Sequence, residues 1–87
     1  MNDFKKESQQ LTLYTTDGCH LCEQALGLLE PWLVKGFGLA KVDIAEDELL
    51  MARYGERIPV IASPCGMEIG WPFTARELED WIGRLRC

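Results

Sequence analysis

Two cysteines separated by two residues, Cys19 and Cys22, are the side chains of this 87-residue chain best suited to chemistry. The apolar residues around them recur at helical spacing, which predicts a helix beginning near Cys19: Leu21, Ala25, Leu26, Leu28 and Leu29. Residues three apart share a helix face, so the two sulfurs can form a disulfide. Free backbone N–H groups and the helix dipole at this end favour an anion, and the thiolate is the reactive form of cysteine. The spacing predicts a redox pair in which Cys19 is the exposed nucleophile and Cys22 the shielded, resolving thiol.

The same spacing has two other interpretations. Half of a zinc site has this pattern but needs two more ligands, and the chain offers only His20 and the isolated Cys65 and Cys87. A metal or iron–sulfur module would therefore need ligands from a second chain, while a third interpretation is an adaptor with an inert structural pair. We predict no metal site and no cofactor within this chain, and we interpret Cys65 and Cys87 as incidental thiols.

The residues beside Cys19 are expected to have opposite effects on the stability of its thiolate. A protonated His20 would stabilise a neighbouring thiolate, although an exposed residue without a role at a helix start is an equally good interpretation. The carboxylate of Asp17 would disfavour a second anion nearby. The favoured interpretation of Asp17-Gly18 is simply a turn between the first strand and the helix.

The rest of the chain alternates between strand and helix patterns in the order β-α-β-α-β-β-α. The strands after the first are predicted at Phe37–Ile44, at 59–62 and at 67–70, and a capping box begins the last helix at Thr74. Pro31 should end the first helix near Glu30 or bend it. The first two strands should be parallel and the last two antiparallel, which gives an α/β fold with a mixed four-stranded sheet and helices on both faces.

Composition fits one small globular domain over residues 1–87, with a polar tail at residues 1–10. The chain is 47% hydrophobic and 26% charged, which is ordinary for soluble domains. The tail lacks the apolar core of a signal peptide, and no apolar run has membrane-spanning length. Four cysteines are too few for a disulfide scaffold, which favours the cytoplasm. A net charge of −5 without a basic stretch argues against nucleic acid or membrane as a partner, and we expect a monomer.

Three segments give the chain a resemblance to the glutaredoxins, the minimal form of the thioredoxin fold. They are Leu13–Cys22, Val42–Ile44 and Tyr54–Val60, and with Trp71-Pro72-Phe73 they are most similar to small bacterial glutaredoxin-like proteins of poorly defined role. The resemblance implies thiol–disulfide oxidoreductase activity by a dithiol mechanism through Cys19 and Cys22.

The resemblance also implies the substrate-binding residues, which are His20, Leu21, Ile58 and Pro59. In this family the corresponding proline follows a cis peptide bond and faces the cysteine pair. A cis Ile58–Pro59 bond would leave the backbone of Ile58 free to pair with an extended substrate segment. The implied partners are a disulfide-containing protein or small thiol substrate, and a dithiol or protein reductant.

The chain departs from the family where glutathione would bind. His20-Leu21 stands between the cysteines in place of Pro-Tyr or Pro-Phe, and Thr16 stands where a basic residue is frequent. The stretch Gly70–Thr74 lacks the Gly-Gly-x-Asp run of many family members. We therefore predict that glutathione is a poor partner, with Arg57 and the start of the last helix as the features that could compensate.

Overall fold

A computed structural model describes residues 10–85 and has the predicted β-α-β-α-β-β-α order. Residues 1–9, 86 and 87 lie outside the described residues, and with them most of the predicted tail and Cys87. The strands are β1 Gln10–Thr15, β2 Gly38–Asp43, β3 Val60–Ala62 and β4 Glu68–Gly70. The helices are α1 His20–Val34, α2 Glu48–Tyr54 and α3 Ala75–Gly83. Each strand after the first lies within its predicted range and is shorter by one or two residues.

One mixed sheet with the order β2-β1-β3-β4 holds the molecule together. β1 pairs with β2 in parallel through the α1 crossover, whereas β3 pairs antiparallel with both β1 and β4. This topology is the minimal thioredoxin fold, and it confirms the predicted fold class and the predicted directions of the strand pairs. Because β1 runs opposite to β3, the end of β1 and the start of β3 meet at the same edge of the sheet.

Apolar residues cover both faces of this sheet, because neighbouring strand residues point to opposite sides. On one face, α1 and α3 pack over the strands, and the buried residues include Leu13, Leu29, Ile61 and Leu78. On the other face, α2 covers a smaller cluster built from Ile44, Tyr54 and Val60. The predicted placement of helices on both faces is confirmed.

The first helix does not end near Glu30, because α1 continues through Pro31 to Val34. The alternative prediction, that Pro31 bends the helix, stays a prediction. Proline removes one N–H donor and crowds the carbonyl four residues earlier, which here belongs to the exposed Gly27. Beyond Pro31, Trp32 packs against the main core, and the Nζ of Lys35 lies 4.4 Å from the Trp32 ring centroid. Tertiary packing therefore offsets the local cost of the proline. Among residues 10–85, no helix is both long and apolar enough to cross a membrane.

Candidate functional site

Cys19 and Cys22 form a disulfide at the N-terminus of α1, with their Cα atoms 5.2 Å apart. Cys19 is the N-cap of the helix, and its extended backbone brings the chain in from β1. Its Sγ accepts a hydrogen bond from the backbone N–H of Cys22 at 3.2 Å. The side chain of Cys22 points into the core and is 5% exposed, whereas Cys19 is half-buried at the surface. The predicted proximity of the two sulfurs at a helix start is confirmed.

The turn between β1 and α1 depends on Gly18, whose φ angle is +75°. L-residues rarely adopt this left-handed conformation, whereas glycine adopts it without steric cost. Asp17 lies beside it and is exposed. The Asp17-Gly18 pair therefore makes the predicted turn, which directs the chain from the sheet edge into the cysteine pair.

His20 and Leu21, the residues between the cysteines, lie on the outer surface of the first helical turn. His20 is exposed, and Leu21 is 43% exposed although it is a large apolar residue. Together they form the surface beside the half-buried Cys19.

The Ile58–Pro59 bond is cis, as predicted, and it lies immediately before β3. Val60 pairs with Tyr14 in the sheet, so Pro59 stands at the edge from which β1 continues toward Cys19. The ring of Pro59 is under 2% exposed, and Ile58 is half-buried. The N–H of Ile58 donates to the carbonyl of Tyr54 at 3.0 Å, so the expectation of a free Ile58 backbone is wrong for its N–H group. A second cis bond, Trp71–Pro72, was not predicted.

Both cysteines also border a groove of about 300 Å³ on the β2 side of the helix. Its apolar residues include Leu13 and Leu26, and its charged residues are Asp17, Glu23, Lys41 and Asp43. No pattern in the sequence predicted this groove. Its signal lies in the parallel register, which pairs Lys41 with Leu13 and so places both on the α1 face of the sheet. None of the predicted substrate-binding residues is among its lining residues.

The remaining cysteines and the metal alternative can be placed only in part. Cys65 is disulfide-bonded, so its interpretation as an incidental thiol was wrong, and Cys87 is not among the described residues. Within residues 10–85, the His, Cys, Asp and Glu side chains form no group of three or more that could hold a metal ion. The prediction that the chain holds no metal remains a prediction.

Comparison with solved structures shows the same fold in proteins from X. campestris and Nitrosomonas europaea. The X-ray and solution structures of Northeast Structural Genomics target protein XcR50 from X. campestris are 41% and 42% identical to the chain. Each covers 84% of this chain, and the matches span 95% and 91% of their own chains, with TM-scores of 0.76 and 0.72. The solution structure of protein Ne2328 from Nitrosomonas europaea is 27% identical, with a TM-score of 0.71, covering 83% of this chain and 88% of that chain.

A family comparison agrees with the structural one. No curated protein matches the chain. The family described as "Glutaredoxin-like domain (DUF836)" matches residues 10–83. This range includes the Cys19–Cys22 pair, the cis bond before Pro59 and all three helices. The chain therefore belongs to the glutaredoxin-like domain family DUF836.

Proposed function

We propose that this protein is a thiol–disulfide oxidoreductase that uses a dithiol mechanism. The Cys19 thiolate attacks a substrate disulfide, which forms a mixed disulfide and releases one substrate thiolate. The Cys22 thiolate then attacks the Sγ of Cys19, releases the second substrate thiolate and forms the Cys19–Cys22 disulfide. Two electrons pass from the protein to the substrate, and a dithiol or protein reductant restores the reduced pair.

One observation carries this proposal: the disulfide lies at the N-cap of α1, where the Sγ of Cys19 accepts the N–H of Cys22. The same donor and the helix dipole would stabilise the Cys19 thiolate after reduction. Cys22 needs no solvent exposure, because the atom that it attacks is the Sγ of Cys19, three residues earlier in the same protein. The different exposures of the two sulfurs therefore match the different tasks of nucleophile and resolving thiol.

The substrate in this proposal approaches the exposed side of Cys19. His20 and Leu21 provide one wall. The N–H of Ile58 donates to the carbonyl of Tyr54, so we assign substrate pairing to the carbonyl of Ile58, which can accept a hydrogen bond from an extended segment. A disulfide-containing polypeptide fits this arrangement, because its main-chain N–H groups can donate to the Ile58 carbonyl. We expect the protein to act in the cytoplasm as a monomer and without a cofactor.

Glutathione remains a poor candidate for the reductant. The groove beside the cysteines carries three carboxylates and one ammonium group, which disfavours an anionic tripeptide. Arg57, the cation that could compensate, has its Nη2 atom 3.7 Å from Oε1 of Glu68. Its charge is therefore already opposed by a carboxylate. We expect turnover with a dithiol to exceed glutathione-coupled turnover, and we would measure both with one small disulfide substrate.

The proposal is tested by reducing a disulfide-bonded polypeptide and 2-hydroxyethyl disulfide with dithiothreitol as the electron donor. Cys19→Ser should abolish catalysis of both reactions. Reduced Cys22→Ser, freed of dithiothreitol and then mixed with either substrate, should accumulate a mixed disulfide at Cys19 that mass spectrometry detects. Glu79→Gln, a change to an exposed residue of α3, serves as the control. Catalysis that survives Cys19→Ser, or a wild-type protein inactive on both substrates, would refute the proposed function.

A further inference from the structure

Glu68 on strand β4 is the centre of a polar cluster outside the cysteine site. Its carboxylate accepts a hydrogen bond from the phenol of Tyr54. Arg53 and Arg57 each place Nη2 3.7 Å from one of its oxygens. All three partners lie in the segment from Arg53 to Arg57, which is the end of α2 and the loop after it. Glu68 therefore links this segment to the sheet.

This segment is followed directly by Ile58 and Pro59, which are proposed to bind substrate. The carbonyl of Tyr54 accepts backbone hydrogen bonds from Arg57 at 2.7 Å and from Ile58 at 3.0 Å. Tyr54 is 3% exposed, and its ring stacks on Tyr14 with centroids 4.3 Å apart. A residue fixed by its ring, its phenol and its carbonyl therefore determines where the Ile58 amide lies.

Strand β4 holds the same loop at a second point. The N–H of Trp71, the residue after β4, donates to the carbonyl of Pro59 at 3.0 Å. The loop is thus held through a backbone bond at Pro59 and through the Glu68 carboxylate at Tyr54. Burial, together with the Glu68 carboxylate, raises the pKa of Tyr54 to about 12.

We infer that Tyr54 and Glu68 are positioning residues: they hold the N–H of Ile58 on the carbonyl of Tyr54 and thereby orient the Ile58 carbonyl toward an extended polypeptide substrate. The inference rests on the proposed oxidoreductase function and deepens it, because it assigns polypeptide selectivity to a cluster on another part of the fold. Neither residue lines the groove beside the cysteines. The chemistry of Cys19 should therefore not depend on them.

Tyr54→Phe tests this inference, because it removes one oxygen and keeps the buried ring. The KM for a disulfide-bonded polypeptide should rise roughly three- to tenfold, since fewer molecules hold the binding-competent loop. The KM for 2-hydroxyethyl disulfide and the rate of Cys19 alkylation should not change. Glu68→Gln, which keeps an acceptor for the phenol, should raise the polypeptide KM less than Glu68→Leu does. Glu79→Gln is again the surface control.

A second measurement does not depend on activity. Hydrogen exchange at the Ile58 amide should be faster in Tyr54→Phe than in wild type, while exchange at Leu13 in β1 should be unchanged. Equal KM changes for both substrates, or unchanged exchange at Ile58, would overturn the inference. A wild-type protein inactive on both substrates would refute the proposed function, and the exchange experiment would still decide whether Tyr54 positions the loop.

Discussion

Cys19 serves the fold and the proposed chemistry with one side chain. N-cap positions favour side chains that accept a hydrogen bond from a free backbone N–H group. Here the Sγ of Cys19 accepts from the N–H of Cys22. A thiolate is a stronger acceptor than a disulfide sulfur, so the same contact favours the reduced, reactive state.

This arrangement predicts that Cys19 reacts first when the reduced protein is alkylated. At mildly acidic pH, iodoacetamide should label Cys19 at least roughly tenfold faster than Cys22, because only Cys19 is both near the helix terminus and accessible. Peptide mass mapping after brief labelling gives the order. Labelling in denaturant is the control and should remove the difference, and earlier labelling of Cys22 or Cys65 in the folded protein would contradict the assignment.

Tyr54 gives a prediction about alkaline stability. Its pKa is near 10.0 in an ordinary environment and about 12 in the folded protein, mainly because burial disfavours the phenolate. The folded state therefore keeps a proton that the unfolded state loses, and stability falls as the pH rises from 10 to 12. The free energy of unfolding should decrease by up to about 1.4 kcal/mol per pH unit relative to Tyr54→Phe. Parallel urea-denaturation profiles for the two proteins across this range would refute the predicted coupling.

At the scale of elements, two glycines near α1 should respond oppositely to the same substitution. Gly18→Ala forces a Cβ onto a backbone with φ +75° and should destabilise the protein by about 1 kcal/mol. Gly27→Ala lies within α1, where an added Cβ meets no atom within 4 Å, and should stabilise it by up to about 1 kcal/mol. Urea denaturation measures both changes, and a Gly18→Ala protein as stable as wild type would show that the turn does not require glycine.

The elements were largely predictable because their signals are local. Strand alternation predicted the sheet, and the capping box at Thr74 is present, with Thr74 and Glu77 each accepting the other's backbone N–H. The path of α1 beyond Pro31 was not predictable from local propensity, since the packing of Trp32 decides it. The groove beside the cysteines depends on strand register. The Tyr54–Glu68 contact joins residues 14 positions apart, and no sequence pattern links the two. Contacts made only by the assembled sheet therefore remained outside the sequence analysis.

At the scale of the whole molecule, the sheet brings site residues from distant segments together at one end of its strands. Cys19 follows the end of β1 after a short turn, and Pro59 directly precedes the start of β3. The edge strand β2 adds Lys41 and Asp43 to the groove beside the disulfide. The net charge of −5 and the excess of carboxylates in this groove both attract an approaching cation and repel an approaching anion.

The protein should therefore reduce cationic disulfides faster than anionic ones of similar size. Cystamine, 2-hydroxyethyl disulfide and 3,3′-dithiodipropionate are similar in size and differ in charge and in the pKa of the leaving thiol. Divided by the rate constant of the same disulfide with 2-mercaptoethanol, which corrects for the leaving thiol, kcat/KM should fall in that order by about tenfold overall at low salt. Raising the ionic strength to about 1 M shortens the Debye length to about 3 Å and should compress the series.

Two matched variants separate the groove from the net charge. Glu23→Gln and Glu79→Gln each remove one exposed carboxylate, but only Glu23 lines the groove beside the cysteines. Glu23→Gln should weaken the preference for cystamine, whereas Glu79→Gln should leave it nearly unchanged because its charge lies away from the disulfide, on α3. Equal effects of the two variants would assign the preference to net charge alone, and a preference unaffected by salt would refute its electrostatic origin.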